Sequence, residues 1–240
     1  MLNWSDSRNF GRTLAALSLF ITPLLLLASG LLAPDLGDNT AEEIANIADD
    51  KGLYVVSGIL FLLAPLLFVP GMMGVIHLMR RRGVTLGQVG AAMIMIGALC
   101  TLAFYGWGAV EYVAATEDGL DRAQMAKLFD AAEDSAIGAP IIVGFLGGLV
   151  IGSILLAIAL WRSGVVPVWS PIALVLSNVI NFIGEDKVVA AIGFALLFVA
   201  LLPVGQKILS IRDDEWDSWQ LPDSGGPAPA PAEPPPAPPP

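Results

Sequence analysis

Residues Ala136–Trp161 read AIGAPIIVGFLGGLVIGSILLAIALW, a run without a single charged side chain. A helix needs about 20 apolar residues to cross a hydrocarbon core of about 30 Å, and this run is long enough. In lipid the backbone must satisfy its own hydrogen bonds, and a single segment can do so only as a helix. This stretch therefore predicts a transmembrane helix.

Five further charge-free apolar runs lie on either side of this one. They are Thr13–Ala33, Leu53–Met79, Val84–Val110, Ser163–Gly184 and Val188–Gln206. The chain has 240 residues, of which 55% are hydrophobic and 14% charged, a composition typical of an integral membrane protein. We therefore predict an all-α polytopic membrane bundle of six transmembrane helices arranged as three hairpins.

The predicted membrane domain spans residues 13–207 and is flanked by two tails. Residues 1–12 form a short N-terminal segment, and residues 208–240 combine an acidic stretch that contains tryptophan with a proline-rich end. Proline-rich sequence is extended and unpacked, so we predict a disordered C-terminal tail.

The basic residues are distributed unequally between the two sides of the predicted bundle. Eight of the 12 lie on one side: Arg8, Arg12, Arg80, Arg81, Arg82, Arg162, Lys207 and Arg212. The positive-inside rule assigns that side to the cytoplasm. We predict a multi-pass protein of the plasma (inner) membrane with both termini cytoplasmic. A cleaved signal peptide is an alternative for the first run, which however exceeds the usual apolar length of about 7–15 residues.

Two outer loops are predicted to contain short amphipathic helices. In the first, Thr40 followed by Glu43 matches a capping box. In the second, Asp121 is a plausible N-cap before an apolar stripe that begins at Met125. The two segments align at an offset of 81 residues, which suggests a repeated hairpin. The alternative is that the two segments align by chance, as apolar sequences easily do.

Glycines mark one face of the fourth predicted span. Gly144, Gly148 and Gly152 recur every four residues, and such small residues let membrane helices approach closely. We predict a tight helix contact at this face. It would lie within the bundle or, alternatively, form the seam of a homo-oligomer through this helix.

Four polar side chains in or near the spans are the candidate functional residues, because ionisable and polar groups in membrane helices are expensive. Glu111 follows the third run and His77 precedes an arginine cluster, so both could instead be interfacial anchors. Asn178 and Asn181 share one helix face, where they could line a solute path or join two helices by hydrogen bonds.

Several classes of protein are excluded or disfavoured. A net charge of −10 argues against nucleic-acid binding. One histidine and one cysteine, Cys100, do not suffice for a metal site with several His or Cys ligands or for a haem held by two histidines. We therefore expect no cofactor. The chain contains none of the common hydrolase, metalloprotease or P-loop motifs, so we do not expect an enzyme.

The stretch Ala45-Asn-Ile-Ala-Asp-Asp-Lys-Gly-Leu-Tyr54, which leads into the second span, resembles a widespread family of uncharacterised six-helix bacterial membrane proteins. The proline-rich tail and the high Ala and Gly content resemble an actinobacterial member. The resemblance implies an architecture and no catalytic residue.

Two functional hypotheses follow. The first is a non-enzymatic accessory or interaction protein, with the lipid bilayer and another membrane protein as partners. The alternative is a small transporter or channel for a cationic or amphipathic solute. The acidic outer loops could concentrate cations, although they are also the expected complement of a positive inside.

Overall fold

The computed structural model describes residues 6–34, 39–81, 84–183 and 187–217. Every regular element in these ranges is helical, including one 3₁₀ turn at Met79–Arg81. The helices are α1 (Ser7–Leu32), α2 (Thr40–Asp49), α3 (Lys51–Leu78), α4 (Val84–Thr116), α5 (Arg122–Glu133), α6 (Gly138–Ser163), α7 (Trp169–Ile183), α8 (Lys187–Ser210) and α9 (Asp213–Asp217).

Six apolar helices form a closed ring in chain order. Each of α1, α3, α4, α6, α7 and α8 packs on the next, and α8 packs back on α1. The packed pairs of consecutive ring helices are the three predicted hairpins α1/α3, α4/α6 and α7/α8. Five of these helices are long and apolar enough to cross a membrane, and α7 is a shorter apolar helix. The prediction of a polytopic helical membrane bundle is confirmed.

The fifth predicted span is shorter than the charge-free run suggested. Ser163 ends α6, and Gly164 adopts a left-handed conformation with φ of 62°, which terminates that helix. Pro167 lies in the following turn, and α7 begins only at Trp169. At 15 residues α7 is about 22 Å long, less than the hydrocarbon thickness of about 30 Å.

The two predicted amphipathic helices are α2 and α5, and they form one layer over an end of the ring, here named the cap. Ile44 and Ile47 of α2 and Phe129 of α5 are buried together with Ala114 and Ala115 at the end of α4. Among the described helices, the cap contacts α3, α4 and α6. It therefore covers one side of that ring end.

The N-termini of the cap helices correct one prediction. Asn39, and not Thr40, is the N-cap of α2, because its side-chain oxygen accepts a hydrogen bond from the Glu42 amide. The Thr40 hydroxyl instead donates to Asp130 of α5 at 2.6 Å. Asp121 caps α5 as predicted.

The alignment of the cap helices differs by one residue from the predicted offset of 81. The N-caps Asn39 and Asp121 are 82 residues apart, as are the buried pair Ile47 and Phe129. Leu128, which the offset of 81 matches to Ile47, is 58% exposed. The hairpin repeat itself stays a prediction.

The opposite end of the ring, here named the terminal end, joins the beginning and the end of the described chain. Arg12 of α1 forms a salt bridge of 3.0 Å with Asp213 of α9. The Arg12 guanidinium also donates to the Ile211 carbonyl oxygen. The predicted boundary at residue 208 falls inside α8, where Ile208 is fully buried. The proline-rich end lies outside the described residues.

The glycine face of α6 packs against α4 of the same chain. A Cβ atom on Gly148 would lie 2.6 Å from the Gly97 amide nitrogen, and one on Gly152 would lie 2.9 Å from the Gly90 carbonyl oxygen. A Cβ on Gly144 would lie 2.7 Å from the Cys100 sulfur. The α4 backbone occupies this seam, and a homo-oligomer through α6 stays a prediction.

Candidate functional site

A cavity of about 210 Å³ lies where the six ring helices meet. Every helix of the ring contributes to its wall, and Asn181 does so from near the C-terminal end of α7. The lining residues are Thr22, Leu26, Phe61, Pro65, Phe68, Ile94, Ala98, Thr101, Phe145, Leu149, Ser153, Leu174, Asn178, Asn181, Phe194 and Leu197. No charged side chain lines it among the residues that the structure describes, so the cavity is an apolar chamber with a few polar groups.

The hydroxyl groups in the cavity wall bond to the protein's own backbone. Thr101 donates to the Gly97 carbonyl oxygen at 2.9 Å, and Ser153 donates to Leu149 at 2.5 Å. Thr22 donates across the α1/α3 contact to the Ala64 carbonyl oxygen at 3.4 Å. Their hydrogens are therefore engaged, while their oxygen lone pairs can still accept.

Asn181 is the exception among the polar groups. Its Oδ1 atom is buried and has no hydrogen-bond partner among the described residues. A buried polar atom left unpaired costs about 1–3 kcal/mol, so an unpaired one usually marks strain, an ordered water or a ligand. Of the four candidate polar residues, Asn181 thus has the clearest unmet bonding capacity.

The position of Asn181 depends on a glycine of the facing helix. Its carboxamide lies against Gly193 of α8. A Cβ atom added to Gly193 would overlap with the Asn181 Oδ1 atom and lie 2.7 Å from the Asn181 Nδ2 atom. Any larger residue at 193 would displace the carboxamide. Gly193 therefore leaves room for the Asn181 carboxamide between α7 and α8.

Asn178, one turn earlier on α7, also lines the cavity. Its Nδ2 atom donates to the Leu174 carbonyl oxygen at 3.0 Å. The structure thus brings the predicted pair Asn178 and Asn181 to one wall of one cavity. Glu111 and His77 do not line it.

Glu111 lies under the cap, inside α4 rather than beyond it. The Tyr54 hydroxyl of α3 lies 3.1 Å from the Gly108 carbonyl oxygen and 3.3 Å from a Glu111 carboxylate oxygen. Tyr105, one turn below, stacks on the cavity-lining Phe61 with ring centroids 4.1 Å apart.

The pKa of one cap carboxylate, Glu43, is shifted by its surroundings. Burial, together with the charges of Glu111 and Glu133, raises the pKa of Glu43 in α2 to about 7. The three residues come from three different helices. No group of three His, Cys, Asp or Glu side chains with metal-binding geometry occurs in the described part of the chain.

His77 lies at the terminal end and holds α9. Its ring packs on Trp216 with centroids 4.0 Å apart, and its Nε2 atom lies 2.5 Å from the Trp216 carbonyl oxygen and 2.6 Å from an Arg80 nitrogen. Arg80 also donates to the Glu215 carbonyl oxygen at 2.5 Å. The structure places His77 in an anchoring contact far along α3 from the cavity.

A second, open groove of about 630 Å³ runs between α6 and α7 on the outside of the ring. Ile154 and Val175 line it, and their chain neighbours Ser153 and Leu174 line the central cavity. The groove and the cavity are thus separated by a single layer of helix at this seam.

Most of the cavity wall could not be predicted from the sequence. The rings of Phe61, Phe68, Phe145 and Phe194 face the cavity, but phenylalanines are common on every face of a membrane helix. The buried Thr22, Thr101 and Ser153 were the available signal, because hydroxyl groups in spans often face a helix interior.

These features define a class of protein, a multi-pass helical membrane protein whose apolar helices enclose a central cavity. Residues 13–210 match DUF4386, a domain of unknown function, and the chain belongs to this family. The predicted resemblance to an uncharacterised family is thereby confirmed. No curated protein and no solved structure matches the chain.

Proposed function

We propose that this protein is a small transporter that binds an amphipathic solute in the central cavity. The observation that carries the proposal is the cavity itself, at the middle of six helices and with Asn178 and Asn181 in its wall. Ligand sites are typically apolar chambers with a few convergent polar groups. Secondary transporters bind their solutes at such a central level of the bundle.

The size of the cavity supports a small solute. An engineered apolar cavity of about 150 Å³ binds benzene. The cavity of about 210 Å³ accommodates one ring with a short substituent, or an aliphatic solute of similar volume. Larger solutes would require the ring to open.

A cavity-filling variant tests the proposal. Ala98 is 3% exposed and lines the cavity, whereas Ala103 lies on the outer face of the same helix. Ala98→Leu should abolish binding of 2-phenylethanol and propylbenzene to the protein in nanodiscs, measured by saturation-transfer NMR. Ala103→Leu should leave binding unchanged. Equal binding by the two variants would place the probes in lipid and refute the proposal.

The accessory role remains the second candidate. It is favoured by the open apolar groove between α6 and α7, which Trp161 and Ile172 line on the outside of the ring. Purification from native membranes in mild detergent tests it. A stoichiometric membrane-protein partner that is lost after Ile172→Arg would support an accessory function.

A further inference from the structure

We propose that the protein binds an anionic phospholipid on the outside of the ring. One acyl chain lies in the open groove between α6 and α7, here named the outer groove, and the phosphate contacts Arg162. This lipid site is separate from the central cavity and from any solute bound there.

The outer groove matches a hydrocarbon chain in its chemistry. Its lining residues are Ile154, Ala157, Ile158, Trp161, Val168, Pro171, Ile172, Val175 and Leu176. Apart from the indole nitrogen of the tryptophan, these side chains offer no polar group. Between Ile154 and Trp161 the helix α6 rises about 10 Å, at about 1.5 Å per residue. The groove therefore accommodates a substantial part of one acyl chain.

Arg162 provides a positive charge at the level where this groove ends. It directly follows Trp161 in the last turn of α6 and lines a recess of about 330 Å³ with Ala159 and with the first residues of α4. Arg162 and Thr85 of this recess are both exposed, and neither has a hydrogen-bond or ion-pair partner among the described residues. A guanidinium without an acidic partner is complementary to a phosphate, and the Thr85 hydroxyl can donate to the same group.

The recess lies at helix ends, where a lipid headgroup is expected. Val84 begins α4, and Gly164 directly follows the end of α6. Trp161 is exposed beside Arg162, and tryptophan is enriched at the headgroup level of membranes. An arginine in this position can keep its stem on apolar surface and extend its guanidinium to the phosphate. Basic pockets between membrane helices bind anionic headgroups in this way.

Two lipids with the same acyl chains test the role of the charge: dioleoyl phosphatidylglycerol, which is anionic, and dioleoyl phosphatidylcholine, which is zwitterionic. Native mass spectrometry of the full chain in detergent measures their binding. We expect the anionic lipid to bind about fivefold more tightly, as one basic side chain near a headgroup allows. Arg162→Gln should remove this preference. Lys207→Gln, an exposed position near the end of α8 that lines neither groove nor recess, is the matched control and should keep it.

Two tryptophan variants test the place of the acyl chain. Ile158 lines the outer groove, and Ile151 lies on the exposed side of the same helix outside it. Ile158→Trp fills the groove and should weaken the binding of both lipids. Ile151→Trp adds the same ring and should leave both affinities at the parental value.

Thermal unfolding gives a second measurement, because a lipid that binds the folded state stabilises it. Phosphatidylglycerol should raise the melting temperature of the parent and of Lys207→Gln more than that of Arg162→Gln. Equal loss of the preference in Arg162→Gln and Lys207→Gln would indicate general attraction to basic side chains and overturn the proposal. Equal lipid binding by Ile158→Trp and Ile151→Trp would also overturn it, and would leave the outer groove to a protein partner.

Discussion

At the scale of single residues, glycines determine how closely neighbouring helices pack. Gly90, Gly97, Gly148 and Gly152 let α4 and α6 approach until their backbones touch. Membrane helices associate without a hydrophobic driving force, so close van der Waals packing supplies much of the attraction. Gly193 serves a different purpose, because it makes room for a polar side chain.

Two adjacent glycines test this packing. Gly148→Ala should lower the melting temperature in detergent, since its Cβ would lie 2.6 Å from the Gly97 nitrogen and overpacking costs about 1–3 kcal/mol. Gly147→Ala meets nothing within 4 Å and should be neutral, or stabilising by up to about 1 kcal/mol through helix propensity. If both variants melt at the parental temperature, the close α4/α6 contact is wrong.

At the scale of elements, the sequence predicted which segments are helical better than it predicted how they end. Charge-free length identified all six apolar helices, because lipid enforces helix formation over such runs. It overestimated α7, since Gly164 and Pro167 are uncharged and do not interrupt an apolar run. The sequence placed the N-cap residue of α2 one position late, because Asn39 and Thr40 are both good N-cap residues.

The cap should respond to pH through Glu43. Its pKa rises from 4.5 to about 7 on folding, so the folded state holds this proton more tightly. Stability should therefore fall as the pH rises from about 4.5 to about 7 and then level off. Thermal unfolding between these limits should show that Glu43→Gln removes part of this loss.

Glu42→Gln is the matched control, because Glu42 lies on the exposed side of the same helical turn. Its unfolding temperature should follow that of the parent across the pH range. Parallel curves for the parent and Glu43→Gln would show that Glu43 is not buried against Glu111 and Glu133.

At the scale of the whole molecule, the ring could be predicted only in part. Six apolar runs specify membrane helices, but every helix in lipid can pack through many faces, so no periodicity gives the order around the ring. The cavity follows from that order, and for this reason Asn178 and Asn181 could be identified as candidates while their common chamber could not.

The parity of the spans sets the topology. If α7 crosses the membrane despite its 15 residues, as we predict, both termini lie on the same side. In a Cys100→Ala background, single cysteines at Asn39 and Glu117 should react with an impermeant maleimide in intact cells, and one at Ser224 should react only after lysis. Labelling of all three positions in intact cells would mean that α7 does not cross.

The contact between α8 and α1 has a consequence for how the protein is made. Helices that leave the ribosome in order can pair with their predecessors as they enter the bilayer, but α1 acquires its second neighbour only when the last helix arrives. Until then the chamber has an open side towards lipid. The ion pair between Arg12 and Asp213 forms only at that last step, so the ring is completed as a late event in membrane insertion.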